Sequence, residues 1–232
     1  MKNSQKIGFL GVLLLIFSCS TKKDAFLNRN YNALTTQYNI LYNGGVAFNE
    51  GLQEINASYE DDFFELLPIE PLTFKNKKFR LPKLSSSSSN KPGKGFQESP
   101  EQEESLTPFD IAEQKAVKAI QKHSMNIYGK ERNKKIDDAY LLLGKSRYYT
   151  ERFIPAIDAY NYIIANYPNA SLINETKIWR AKAHIRIENE ELAIETMEIL
   201  LRKPELPDVI REEANTTLAM AYTKMDSVQR VR

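Results

Sequence analysis

Beyond residue 108, small residues recur at a near-constant spacing inside runs of helical periodicity, and this recurrence limits the possible folds more than any other feature. Taking Gly144 as the mark, Ala181 falls 37 residues on and Ala219 a further 38. A glycine or alanine on a helix face lets a neighbouring helix approach closely, while aromatic side chains fill the space between successive pairs. Three units of near-equal length predict an all-α solenoid of antiparallel helix pairs over residues 108–232, each pair stable only when stacked on the next. Phe109, Ala112, Ala116, Ala119 and Ile120 give a first amphipathic helix, opened by Thr107-Pro108 as cap and first-turn proline. The third unit reaches Arg232 about where its second helix would begin, which leaves Leu218 and Tyr222 without a partner in the pattern. The chain is therefore expected to be a piece of a longer array.

Residues 133–168, NKKIDDAYLLLGKSRYYTERFIPAIDAYNYIIANYP, resemble a tetratricopeptide repeat. Tyr140 stands at its first large aromatic position, Leu143-Gly144 at its Leu-Gly pair, Ala156 and Tyr160 at the small and aromatic positions of its second helix, and Pro168 at its end. Arg147 and Ile163 depart from the usual Tyr and Ala, with Tyr148 one residue late; the middle unit keeps chiefly Ala181 and Ala193. Such repeats bind along the face of each first helix. In this register Lys145 and Lys182 are equivalent, Arg186 and Lys224 form a second equivalent pair, and Tyr148, Tyr149 and Trp179 lie close by. Cations beside aromatics suit an extended segment carrying acidic side chains or a terminal carboxylate, held by charge-assisted hydrogen bonds. Plain solvation of exposed lysines is the competing reading.

The amino terminus, MKNSQKIGFLGVLLLIFS, has two lysines, an uncharged run from Ile7 to Phe17, and Ser18 directly before Cys19. That run spans about 16 Å as a helix at ~1.5 Å per residue, roughly half a bilayer core, so residues 1–18 read as a signal peptide. Ile16-Phe17-Ser18-Cys19 resembles the lipobox of bacterial lipoproteins. The resemblance implies cleavage before Cys19 and a covalent diacylglycerol and N-acyl lipid on it; acyl chains at ~0.8 kcal/mol per buried methylene make a lasting tether. An incidental free thiol behind a conventional signal is the alternative. Ser20 after the cysteine favours the outer membrane under the enterobacterial sorting rule.

Within residues 19–57, Tyr31, Leu34, Tyr38, Leu41 and Tyr42, then Gly44-Gly45, then Val46, Phe48, Leu52 and Ile55 predict a helical hairpin that turns at the glycine pair. Residues 58–107 read as an irregular, low-complexity linker: prolines at 68, 71, 82, 92 and 100, a basic patch of Lys75, Lys77, Lys78, Arg80 and Lys83, and a serine run. From about Leu84 to Thr107 there is almost nothing to bury, which predicts disorder.

A single cysteine excludes an intramolecular disulfide and any cysteine-based zinc cluster. The net charge of +2 comes from Lys2 and Lys6; without residues 1–18 the chain has 30 basic and 30 acidic side chains. Nucleic-acid binding is not expected of such a balance. Neither is catalysis, metal binding or a cofactor: two histidines, adjacent acidic pairs at Asp61-Asp62 and Asp137-Asp138, and no hydrolase or metalloprotease motif give nothing to build a site from. His184 reads as packed. His123-Ser124-Met125 reads equally as an interface feature or a packed helix end.

LTTQYNILYNGG, EGLQEIN, the run from EQKAVKAIQKHSMNIYGK through DDAYLLLGKSRYY to YNYII, and IWRAKAHIRIEN resemble the amino-terminal part of the SprE/PorW lipoproteins of Bacteroidota. This resemblance implies a lipid-anchored protein on the periplasmic face of the outer membrane, required for type IX secretion and gliding motility, with other components of that system as partners, among them the GldK/GldN (PorK/PorN) ring. It carries over no catalytic residue. Anchor plus repeats alone would equally suit a generic periplasmic adapter for peptides or nascent outer-membrane proteins.

Overall fold

The computed structural model describes residues 20–64, 67–70 and 106–231. The signal peptide, Cys19, the basic patch at 75–83 and the serine-rich tract to residue 105 lie outside the described residues. Among those described the chain is mostly helical, with two short strands, and no helix is long and apolar enough to cross a membrane.

The hairpin expected at Gly44-Gly45 does not form. Helix α1 (Phe26–Thr35) continues through a π-helical segment (Thr36–Leu41) into α2 (Tyr42–Ser58), and the junction residues keep right-handed helical dihedrals. Gly44 serves close approach: a Cβ there would stand 2.7 Å from Leu142 Cδ2 and 3.1 Å from Lys115 Cβ. Periodicity cannot separate a glycine that turns the chain from one that admits a neighbouring helix.

The inward face of the continuous helix from α1 into α2 is also polar rather than apolar at its start. Tyr31, Leu34, Tyr38 and Tyr42 point outward, whereas Asn28, Asn32 and Thr36 are buried. Their polarity is matched by partners. Asn32 Nδ2 donates to Asn28 O (2.9 Å), so its Oδ1 is left to accept from His123 Nδ1 (3.0 Å). Thr36 Oγ1 donates to Asn32 O (2.7 Å) and accepts from Asn133 Nδ2 (3.0 Å). A satisfied network can be buried where an unsatisfied one cannot.

Helix α3 (Pro108–His123) starts as the sequence predicts: Asp110 N donates to Thr107 Oγ1 (3.2 Å), and Thr107 N donates to Asp110 Oδ2 (3.0 Å). It ends on His123, and Met125 beyond it is fully buried, so His123-Ser124-Met125 is a packed helix end. A small hairpin follows, β1 (Asn126–Ile127) paired antiparallel with β2 (Lys130–Glu131), closed by Tyr128 and Gly129 at positive φ. Glu131 anchors it, accepting from Met125 N (2.7 Å) and Asn133 N (2.8 Å).

Burial lowers the His123 pKa, with Lys118 adding to the effect; burial and then Arg180 lower that of His184. The folded state therefore binds fewer protons than the unfolded chain below the ordinary imidazole value of about 6.5. Stability should be fully present above that value and fall as the pH drops toward the lower folded pKa. Denaturant midpoints at pH 7.5 and pH 5.5 check this, and His123→Asn should flatten the difference.

The remaining helices repeat. Helices α4 (Ile136–Tyr149) and α6 (Ile173–Arg186) each have 14 residues and start 37 residues apart, as do the starts of α5 (Phe153–Asn166) and α7 (Glu190–Leu201). Glu151 (φ 60°) and Glu188 (φ 61°), also 37 apart, leave α4 and α6 through the same left-handed conformation. That conformation costs a non-glycine residue ~1–2 kcal/mol, so Glu188→Gly should stabilise the chain by about 0.5–1 kcal/mol after the added flexibility of the unfolded chain is offset, read from the urea midpoint. Each helix packs on the next, and α6 also meets α4. Helix α8 (Asp208–Val231) is one helix of 24 residues against α7 and α6, running to about where the third unit's second helix was expected to begin. Ala219 accordingly faces solvent, and Ala214, Thr217 and Ala221 form the buried face.

Two cores result. Phe48, Phe109, Tyr148, Tyr149, Tyr160 and Trp179 tie α2 and α3 to the repeats. Ile178, Ala181, Ile185, Ala193, Met197, Leu200 and Ala214 fill the space between α6, α7 and α8.

Candidate functional site

Lys145, Tyr148 and Tyr149 occupy one face of the last turns of α4, being three and four residues apart, and Trp179, Lys182 and Arg186 share one face of α6 in the same way. Contact between α4 and α6 brings the two sets together. The Trp179 ring meets the edges of Tyr148 and Tyr149 at centroid distances of 5.5 and 5.9 Å. Above it stand Lys182 Nζ at 4.4 Å and Lys145 Nζ at 5.0 Å from the ring centroid. An indole face attracts such cations and holds them in position. Six of the seven side chains expected on a binding face are thus assembled; Lys224 is exposed on α8.

The cluster already holds an acid. Glu70, from the otherwise irregular segment 67–70, reaches its centre with its side chain only 15% exposed. Tyr148 Oη donates to Glu70 Oε2 (2.7 Å), and Tyr149 Oη donates to Oε1 (3.0 Å). Lys182 Nζ lies 3.4 Å from Oε1, Arg186 Nη2 lies 3.6 Å from Oε2, and the same Nη2 donates to the Glu70 backbone carbonyl (3.1 Å). Arg186 Nε in turn donates to Tyr148 Oη (3.0 Å), which orients the phenol toward the carboxylate. Burial, and next the Glu70 charge, push both phenols well above the ordinary tyrosine range, so they remain donors at any physiological pH.

The carboxylate faces cations and phenols, the arrangement that holds an anion. Among the described residues no three His, Cys, Asp or Glu side chains group as a metal site. Lys145 also pairs with Glu175 on α6 (2.5 Å), and Lys182 with Glu213 on α8 (3.5 Å), so neither lysine is simply a solvated charge.

Sequence reasoning missed Glu70, since an acid in a proline-rich stretch has no periodicity to locate it. It also left Arg147 as an unexplained departure. Arg147 Nε donates to Glu113 Oε1 (2.9 Å) and its Nη1 to Pro155 O (3.0 Å), while Arg152 grips the same Glu113 carboxylate. The two arginines fasten the α4–α5 turn to α3.

No family model matches the chain, and no curated protein matches it in sequence.

Proposed function

We propose that this chain is part of a lipid-anchored scaffold on the periplasmic face of the outer membrane, required for type IX secretion and gliding motility, whose tetratricopeptide-like solenoid holds partner proteins. The observation that carries the binding role is the Tyr148, Tyr149, Lys182 and Arg186 cluster closed around a carboxylate. The 37-residue recurrence of helix starts supports the solenoid, and the lipobox-like Ile16-Phe17-Ser18-Cys19 supports the anchor. The secretion role rests on the resemblance of LTTQYNILYNGG and DDAYLLLGKSRYY to SprE/PorW lipoproteins. In this reading the protein performs no chemistry, and the ring components of the secretion machine are its partners.

Deletion of the complete gene tests this. Type IX cargo should be retained in the periplasm and depleted from the medium, and a Cys19→Ala strain should share the defect in proportion to its loss from the membrane. Cargo reaching the medium at the parental level would overturn the secretion role. A generic adapter for acidic peptides, favoured by the same carboxylate cluster, would then be pursued by crosslinking from α4 and α6.

A further inference from the structure

Glu70 is held at its site by its carboxylate and its backbone carbonyl. Its described neighbours are only partly covered: Leu67 is 40% and Ile69 47% exposed, and Pro68 is exposed as well. Among the described residues 67–70, the hold is through one carboxylate and one backbone carbonyl, and none of the apolar side chains is buried. The receiving surface, by contrast, is preformed. Tyr148, Tyr149 and Trp179 are buried against each other, α3 and α5 in the main core, and Lys182 keeps Glu213 and the indole face as partners when Glu70 leaves. A rigid receptor with a loosely supported occupant is the arrangement expected of an exchangeable ligand.

We propose that Glu70 is a self-ligand in a carboxylate receptor, and that a glutamate in an extended segment of a partner protein displaces it. This deepens the scaffold reading, because it rests on α4 and α6 being the binding face. Two features give the exchange its physical basis. Charge-assisted hydrogen bonds to both carboxylate oxygens supply specificity for Glu over Gln, since an amide would present an N–H to a phenol or a cation. The short tether from α2, which ends at Ser58, gives Glu70 an effective concentration on the order of millimolar. A partner must outcompete that, so its apparent affinity is reduced by the fraction of receptors that stand open. A segment that adds apolar contacts beside the carboxylate, or is presented at high local concentration, competes best. The self-ligand thus acts as a threshold against stray acidic peptides.

The probe is a fluorescein-labelled, carboxyl-amidated peptide copying residues 59–72, titrated by anisotropy into the mature chain with Cys19→Ala, in three forms: Glu70, Glu70→Gln and Glu70→Asp. The peptide should bind the Glu70→Gln chain about tenfold more tightly than the wild-type chain, with Glu70→Asp intermediate. A peptide with Gln at position 70 should not bind any form, and Tyr148→Phe with Tyr149→Phe should abolish binding in the Glu70→Gln background. A second peptide, lacking internal acids and ending in a free carboxylate, separates the two sources of the group; the proposal expects it to bind more weakly than the glutamate peptide. Far-UV circular dichroism checks that each variant is folded, and the Glu70→Asp chain keeps the experiment decisive if the amide variant is not. Equal affinity for wild-type and Glu70→Asp chains, or no binding to either open form, would overturn the exchange. Failure here with cargo still trapped by gene deletion removes only the exchange, whereas peptide binding with normal secretion removes only the secretion role.

Discussion

Replacing Gly144 with valine should cost about 3 kcal/mol or more and lower the thermal midpoint steeply, because the site has no room for even one carbon. A Cβ at Gly144 would stand 2.7 Å from Tyr160 Cζ and nearer still to Cε1. Tyr160 cannot move aside: it is completely buried, within the core that α4 and α5 share with α3 and α6. Either the ring leaves its rotamer or the two helices separate, and separation would pull Lys145, Tyr148 and Tyr149 away from α6. Gly144→Ala should show the same effect at ~1–3 kcal/mol. In Gly144→Ala a second change, Tyr160→Leu, should recover part of the loss, giving a favourable coupling in a double-mutant cycle that independent sites would lack. Urea unfolding of the four proteins reads the coupling directly.

The second large effect is expected at Phe109. Its ring stacks on Tyr149 at 5.0 Å and 8° and meets the edge of Phe48 at 5.5 Å; it is almost fully buried. Phe109→Ala should cost about 3–5 kcal/mol, the range for deleting a buried aromatic ring. Against a typical total of about 5–15 kcal/mol this removes a large share of the stability. The loss has a local consequence as well. Phe109 sits between Phe48 of α2 and Tyr149 of α4, so its removal loosens the amino-terminal helix from the carboxylate cluster. Amide exchange should rise in α1 and α2 before it rises in α6 and α7, whose core is the separate cluster around Met197. Uniform loss of protection across both cores would mean that the two clusters unfold as one unit.

The sequence exposes these features unequally, for physical reasons. Helix pairs and their 37-residue period were legible because close approach demands small residues at fixed intervals, and Gly144, Ala156 and Ala181 are all buried where that demand predicts. Thr107-Pro108 was legible because capping is local. The third unit was not: Ala219 fits the spacing, yet α8 runs on as one long helix and turns Ala214, Thr217 and Ala221 inward. Gly44-Gly45 misled for a related reason, since glycine marks both turns and contacts. The inward polarity of α1 and the π-helical segment after it could not be read from hydrophobicity, because Asn32 and Thr36 are matched by His123 and Asn133, nearly a hundred residues away. For the α4–α6 cluster, the residue types and their helical register located six side chains together, while the acid they hold came from a segment without pattern. Long-range polar pairing of this kind leaves no periodic trace.

The claim that α4 and α6 form the working surface of a secretion scaffold is tested most directly in cells. Lys182→Gln and Arg186→Gln would be introduced together into the complete chromosomal gene, and type IX cargo in the medium compared with cargo in the periplasm. The two substitutions remove both cations around the carboxylate while leaving the Tyr148, Tyr149 and Trp179 floor intact. With the variant protein at its normal level, cargo should accumulate in the periplasm as it does on gene deletion. Cargo in the medium at the parental level, with the variant protein equally abundant, would contradict the account.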